Sequence, residues 1–380
     1  MKWKKWFGKL HLWLGLSTGL VVFILGITGA IYCFAPELQN LQPYRTVEEE
    51  NTAFLPPSQI KQIAERSLAV KSPQRIYYDA RDKAVLVLFS KKEEYSYSVF
   101  INPYSGKVLK VRDNNKDFLS VVLQLHRTLL IPYGHEIIRW STVIFIFMLI
   151  SGIFLWWPKN KRTGKQGFKI MWRAHPKRLN YDLHKVLGFY ATWVVIFTAL
   201  TGLMFAFEGF AGFVYKTTGA DRSIVQKEPP SSDTSIVDDN KPVAIDVVWR
   251  SIVPDLYRTY ATVMFVLPGE KKGSILLRAN PEKATLYKSD FRYFDQYSGK
   301  EISGAYVWGK YKDAQVTADY IRRMNYDIHT GAIFGLPGRI ALFFVALVVA
   351  SLPITGFLIW RGRKKKTKTI YRVKQNAVLS

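Results

Sequence analysis

Four apolar stretches, at roughly 12–35, 140–157, 186–207 and 340–360, constrain this chain more than any other feature. Each approaches the ~20 residues that a helix needs to cross a hydrocarbon core. Backbone in that core must satisfy its own hydrogen bonds, so runs of this length and composition dictate transmembrane helices. The first run follows Lys2, Lys4, Lys5 and Lys9 but is longer than the apolar part of a secretory signal, and no small-x-small cleavage site follows it. Tyr32 stands before Cys33, where a lipoprotein processing site needs a small residue. The sequence therefore predicts a retained helix.

A net charge of +25 would suit a nucleic-acid binder, but its placement argues otherwise. The segment before His11, the loop from Pro158 to Leu183 and the tail after Trp360 hold 20 of the 54 basic residues and one acid, Asp182. Such segments alternate with the other loops as the positive-inside rule requires, which places both termini and the 159–183 loop in the cytoplasm. Topology and contact with anionic membrane lipid account for the charge, so no nucleic-acid partner is expected. A single cysteine excludes an internal disulfide and a cysteine-rich metal site.

The expected order is transmembrane helix 1 (1–36), an exported domain (37–118), a lead-in with helix 2 (119–158), a basic cytoplasmic loop (159–183), helix 3 (184–207), a second exported domain (208–325), helix 4 (326–361) and a basic cytoplasmic tail (362–380). Strands are expected at Arg75–Tyr78, Ala84–Phe89, Tyr95–Ile101, Tyr260–Leu267, Ser274–Arg278 and Phe291–Phe294.

The halves repeat one another. His11-x3-Gly15 precedes Thr28-Gly29, and His184-x3-Gly188 precedes Thr201-Gly202, each Thr lying 17 residues after its His. Ser151-Gly152 through Trp156 matches Thr355-Gly356 through Trp360, and Asn102-Pro-Tyr-Ser-Gly-Lys107 matches Asp295-Gln-Tyr-Ser-Gly-Lys300. Two spans per half give both halves the same orientation, a parallel two-fold repeat. The fold class expected is a four-helix membrane bundle carrying two periplasmic α+β domains.

Ionisable side chains at membrane depth tend to be functional. His11 and His184 stand at one depth on matching helices, and His126 and His329 correspond once a one-residue gap is allowed. Two imidazoles on facing helices are what the axial positions of a b-type haem require, so the four are the expected iron ligands of two haems. Gly15 and Gly188, one turn after their histidines, would clear space for the flat macrocycle. His135 is the rival of His126 but has no histidine counterpart. Arg127, Arg139 and Arg339 are lower-ranked candidates for haem propionates. His175, among cations in a loop, reads as solvated. Neither a phosphate loop, a nucleophile elbow nor a zinc-protease motif is present, leaving the catalytic residues of any enzyme unassigned.

Taken together, Leu10-His11…Thr28-Gly29, Asp182-Leu183-His184…Thr201-Gly202, Ser151-Gly152…Trp156-Trp157-Pro158, Ile328-His329-Thr330-Gly331 and the two Tyr-Ser-Gly-Lys turns resemble the PepSY-associated transmembrane family over nearly the whole chain. That resemblance implies an iron-regulated protein of the bacterial inner membrane and a ferric siderophore reductase-like activity serving iron uptake, with ferric siderophore as substrate. Some family members carry a cytoplasmic flavodoxin-reductase-like region. Nothing of the kind follows Arg361 here, so the expected electron donor is quinol or a separate cytoplasmic flavoprotein. The alternatives are a membrane-anchored PepSY binding module without redox activity, and a transporter built on the same repeat.

Overall fold

The computed structural model describes residues 2–378 apart from 69–71, 92–93, 159–166, 221–227, 236–242 and positions 257, 284, 305 and 307; side chains beyond 362 are likewise outside the description. Part of the basic loop and of the basic tail thus lies outside the described residues. The chain divides into two compact units, one of residues 1–33, 122–210 and 328–380, the other of 34–121 and 211–327.

In the first unit four helices are long and apolar enough to span a membrane: Trp3–Tyr32, Gly134–Trp156, Pro176–Ala206 and Ala332–Gly362. They coincide with the four apolar runs and define a membrane-embedded protein. They belong to α1 (Lys2–Tyr32), α5 (Gly134–Trp156), α6 and α7 (Pro176–Asp182 and Gly188–Ala206, joined by one π-helical turn, Leu183–Leu187) and α11 (Gly335–Val378). Small residues let the helices approach closely. A Cβ on Gly26 would lie 2.9 Å from the Ala350 Cβ and 3.0 Å from the Ala346 carbonyl oxygen, so α1 and α11 touch almost backbone to backbone. Val22, Leu149, Ala191, Val195 and Val349 form the buried centre of the bundle.

Two shorter helices precede spans: α4 (Phe118–Thr128) before α5, and α10 (Thr317–Thr330) before α11. Each turn between helix and span is closed by a glycine. A Cβ at Gly134 would fall 1.7 Å from the Thr128 carbonyl oxygen, and one at Gly338 would fall 2.3 Å from that of Gly331. The second segment, from His329 to Gly338, is one residue longer than that from His126 to Gly134, which is the gap that the sequence comparison needs. It is also built differently. Leu129, Leu130 and Tyr133 take left-handed backbone angles in the first turn, whereas Gly331 and Gly335 take them in the second, where glycine does so without steric cost.

The second unit is an antiparallel sheet with helices α3 (Pro57–Ser67) and α9 (Ala244–Ile252) packed against it. The strands are β1 (Arg75–Tyr78), β2 (Val85–Lys91), β3 (Tyr95–Ile101), β4 (Val108–Asp113), β5 (Thr262–Val266), β6 (Ile275–Asn280) and β7 (Asp290–Phe294), in the order β4-β3-β2-β1-β5-β6-β7. Six match the expected strands, and β4 is the addition. The two polar segments, read from the sequence as separate domains, supply strands to one sheet. Its seam is β1 against β5, with Ile76 opposite Phe265 and Tyr78 opposite Val263. Alternating burial along β2 directs Val85, Val87 and Phe89 into a core with Tyr78, Val99, Trp249 and Phe265. Tyr78 stacks on Trp249 at 4.4 Å, and Asp246 of α9 accepts hydrogen bonds from the Ser58 amide and hydroxyl of α3 at 3.0 and 2.5 Å. Further α-helices among the described residues are α2 (Ala35–Asn40) and α8 (Glu208–Thr217).

Candidate functional site: two facing histidine pairs

His11 comes from α1 and His184 from the π-turn that opens α7. A π-turn widens the helix by one residue and often marks a functional position. The two ring centroids stand 6.4 Å apart at 89°. His126, from α4, and His329, from α10, repeat the arrangement with centroids 6.4 Å apart at 74°.

Each imidazole is held in the same way. His11 Nδ1 lies 2.8 Å from Ser151 Oγ and His184 Nδ1 2.8 Å from Thr355 Oγ1. His126 Nδ1 lies 2.8 Å from Thr28 Oγ1, and His329 Nδ1 3.1 Å from Thr201 Oγ1. All four hydroxyls donate their own hydrogen to a carbonyl one turn back: Met148 for Ser151, Ile24 for Thr28, Phe197 for Thr201 and Ser351 for Thr355. The hydroxyl oxygen is therefore an acceptor, and Nδ1 carries the proton. His329 makes the point independently, because its Nδ1 also lies 3.0 Å from the Thr198 carbonyl, which can only accept. Protonation at Nδ1 leaves the Nε2 lone pair for a metal.

The residue after each hydroxyl is glycine. A Cβ at Gly152, Gly356, Gly29 or Gly202 would approach Cε1 of His11, His184, His126 or His329 to 3.6, 3.3, 3.5 and 3.3 Å respectively. The Ser/Thr-Gly dipeptide thus supplies both the acceptor and the room for the ring. It also crosses over between helices: α1 carries His11 near one end and the Thr28-Gly29 cradle for His126 near the other, and α7 likewise carries the cradle for His329. In sequence the dipeptides mark the repeat, but nothing local says which histidine each one holds.

A cavity of about 620 Å³ adjoins the first pair. It is lined by His11, His184, Gly15 and Gly188, and also by Lys4, Lys5, Lys9 and Lys185. Gly15 and Gly188 face neighbouring helices as well, towards the Met148 and Leu352 side chains. Among the described residues no cluster of three or more His, Cys, Asp or Glu is placed to hold a metal ion. Among the described residues each site offers two imidazoles as metal ligands, too few for a bare zinc or a hard cation.

The other sequence candidates lie elsewhere. His135 is exposed, its Nδ1 3.6 Å from Glu136. Arg127 is exposed next to His126. Arg139 donates to Glu136 at 2.6 Å and covers the Phe207 ring, while Arg339 is buried and donates to the Cys33 carbonyl at 3.0 Å. His175 is exposed and accepts from the Lys177 amide as the cap of α6.

Four membrane spans enclosing two facing imidazole pairs define a class of bundle protein with paired histidine sites. The chain belongs to the PepSY-associated TM region family, whose model matches residues 9–363. No curated protein matches it.

Proposed function

We propose that the protein is a haem b-containing electron carrier of the inner membrane that reduces a ferric chelate, of the siderophore class, on the periplasmic face for iron acquisition. The observation that carries this reading is the spacing of the imidazoles. A metal–imidazole bond of about 2 Å, with roughly 1.1 Å from the bonding nitrogen to the ring centre, would place two imidazoles that share one metal up to about 6.2 Å apart. Both pairs lie at 6.4 Å. A macrocycle supplies four equatorial nitrogens of its own, so two protein ligands suffice for haem and for little else. His11 with His184, and His126 with His329, would hold one haem each, and the iron would supply reversible one-electron chemistry there.

The chain's own residues do the rest. The Ser/Thr hydroxyls fix the tautomer and aim each ring, and the adjacent glycines let it seat. Lys4, Lys5, Lys9 and Lys185 offer cations to acidic substituents at the first site. Seventeen residues of α1 separate His11 from the Thr28 cradle of His126, a rise of about 26 Å, so one pair belongs to each end of a span. This makes the bundle an electron route across the membrane. The charge distribution supports cytoplasmic termini with the sheet unit in the periplasm, and the matching pairs support a duplicated origin of the two halves.

Ferric chelates of hard oxygen donors hold Fe(II) far less tightly, so one electron delivered at the periplasmic face releases the metal. The test is a reduced-minus-oxidised spectrum with pyridine haemochrome quantification of the purified protein. Two b haems per chain, falling to one in His184→Ala, is the expected result. A haem-free protein, after expression with ample haem, would refute the proposal and favour a membrane-anchored binding module.

A further inference from the structure

We propose that a groove between the start of α5 and the break joining α7 to α8 binds an isoprenoid hydroquinone and passes its electrons to the His126–His329 site. This names a donor that enters at the His126–His329 end, as a second entry point beside the route across the membrane proposed above, and rests on that reading. The groove, about 680 Å³, is lined by His135, Arg139, Trp140, Phe205, Phe207 and Glu208 among others. It exists because α7 stops at Ala206, Phe207 is extended and α8 begins at Glu208, which opens a gap beside α5. Elsewhere in the bundle Arg339 of α11 is buried and bonded to the Cys33 carbonyl beyond the end of α1.

The chemistry of the lining matches the two ends of such a molecule. Phe207 packs edge-on to Trp140 at 5.6 Å and lies 4.3 Å under the Arg139 guanidinium, an aromatic and cationic bed for a ring. Trp140 is 59% exposed, so the lip of the groove is open to an apolar tail in the bilayer. Arg139 donates to Glu136, yet its Nε is buried without a hydrogen-bond partner among the described residues and is a donor for a quinone carbonyl. His135 and Glu208 are acceptors for phenolic O–H groups. Glu136, bonded to the arginine, and the Glu208 carboxylate in the lining disfavour a phospholipid phosphate and suit a neutral ring. Finally, the Phe205 ring meets the His329 ring edge-on at 5.4 Å, which joins the groove to the histidine pair.

In the reaction both O–H bonds of the hydroquinone break and two carbonyls form. The two protons pass to His135 and Glu208 and then to water. The two electrons would leave singly past Phe205 to the group held by His126 and His329, and a haem there would supply the one-electron chemistry that passes them to two ferric chelates, one electron each.

The experiment uses the full-length protein in lipid nanodiscs with an azido-quinone photoaffinity probe, its adducts mapped by mass spectrometry. Adducts are expected within 135–143 and 203–210, displaced by excess decylubiquinone. Arg139→Gln and Glu208→Gln should each weaken labelling about tenfold, the loss of one hydrogen bond. In parallel, decylubiquinol should reduce the haem of wild type faster than that of either variant, while dithionite reduces all alike. Adducts elsewhere, labelling that decylubiquinone does not displace, or retention of phospholipid in the groove under native mass spectrometry would overturn the site. Labelling in the groove of a protein without haem would overturn the electron route while leaving quinone binding intact, which separates this failure from that of the function itself.

Discussion

Replacing Thr28 with valine isolates the cradle from the fold. Valine keeps the branched shape of threonine at a position only 3% exposed, so packing of α1 is retained. What goes is the oxygen that accepts from His126 Nδ1 at 2.8 Å. A net hydrogen bond is worth ~0.5–1.5 kcal/mol, and a buried N–H left without an acceptor costs ~1–3 kcal/mol. The imidazole can avoid that cost only by moving its proton to Nε2, which removes the lone pair that the proposed iron would need. Either way the hold on the group at the His126–His329 site should weaken by ~1.4–2.7 kcal/mol, the tenfold to hundredfold expected when an outer partner of a metal ligand is lost. Titration of haem-depleted protein with hemin, read by the Soret band, measures this directly. Thr28→Ser restores the acceptor and should restore affinity, and the His11–His184 site should be unchanged in both variants. Wild-type affinity in Thr28→Val, or a serine variant as weak as the valine one, would refute the assignment of the hydroxyl as acceptor.

Three further outcomes are expected. Gly26→Val drives a side chain into Ala350 and the Ala346 carbonyl, and should destabilise the bundle by ~1–3 kcal/mol, seen as a lower thermal midpoint in detergent. Trp249→Ala empties a buried site against Tyr78 and should cost ~3–5 kcal/mol, with faster proteolytic cleavage within 244–294 and no change in the haem spectrum. The Arg292 guanidinium, bidentate on Glu301 at 2.6 and 3.0 Å, holds that carboxyl below its usual range. The resulting stability is complete above the ordinary carboxylate value of about 4.3 and is lost as pH falls through the lowered one. Glu301→Gln should therefore flatten the acid limb of a thermal-stability profile, and an unchanged limb would show the pair to be inert.

Much of this molecule is legible without coordinates. Apolar runs near twenty residues admit one solution in a bilayer, so α1, α5, α7 and α11 could be read directly. Period-two alternation announced six of the seven strands found among the described residues. The exception, β4, alternates weakly because Lys110 and Val111 are both exposed. The four histidines stood out because imidazoles are rare at such depth, and a repeated offset of 17 residues tied two of them together. The gap needed to match His126 with His329 was legible too, and corresponds to one extra residue between the histidine and the closing glycine.

Partnership was not legible. Hydrophobic period tells which face of an element is buried, never which other face it meets, and so the joining of β1 to β5 across the halves belongs to the tertiary structure alone. For the same reason Thr28-Gly29 read as a companion of His11, 17 residues away on one helix. A rise of 1.5 Å per residue separates them by most of a membrane. Folding gives Thr28 to His126, Thr201 to His329, Ser151 to His11 and Thr355 to His184. It likewise seats His126 opposite another imidazole and leaves His135 exposed beside Glu136. The residue types were set by the chain, but their pairing arises only when helices far apart in sequence are packed side by side.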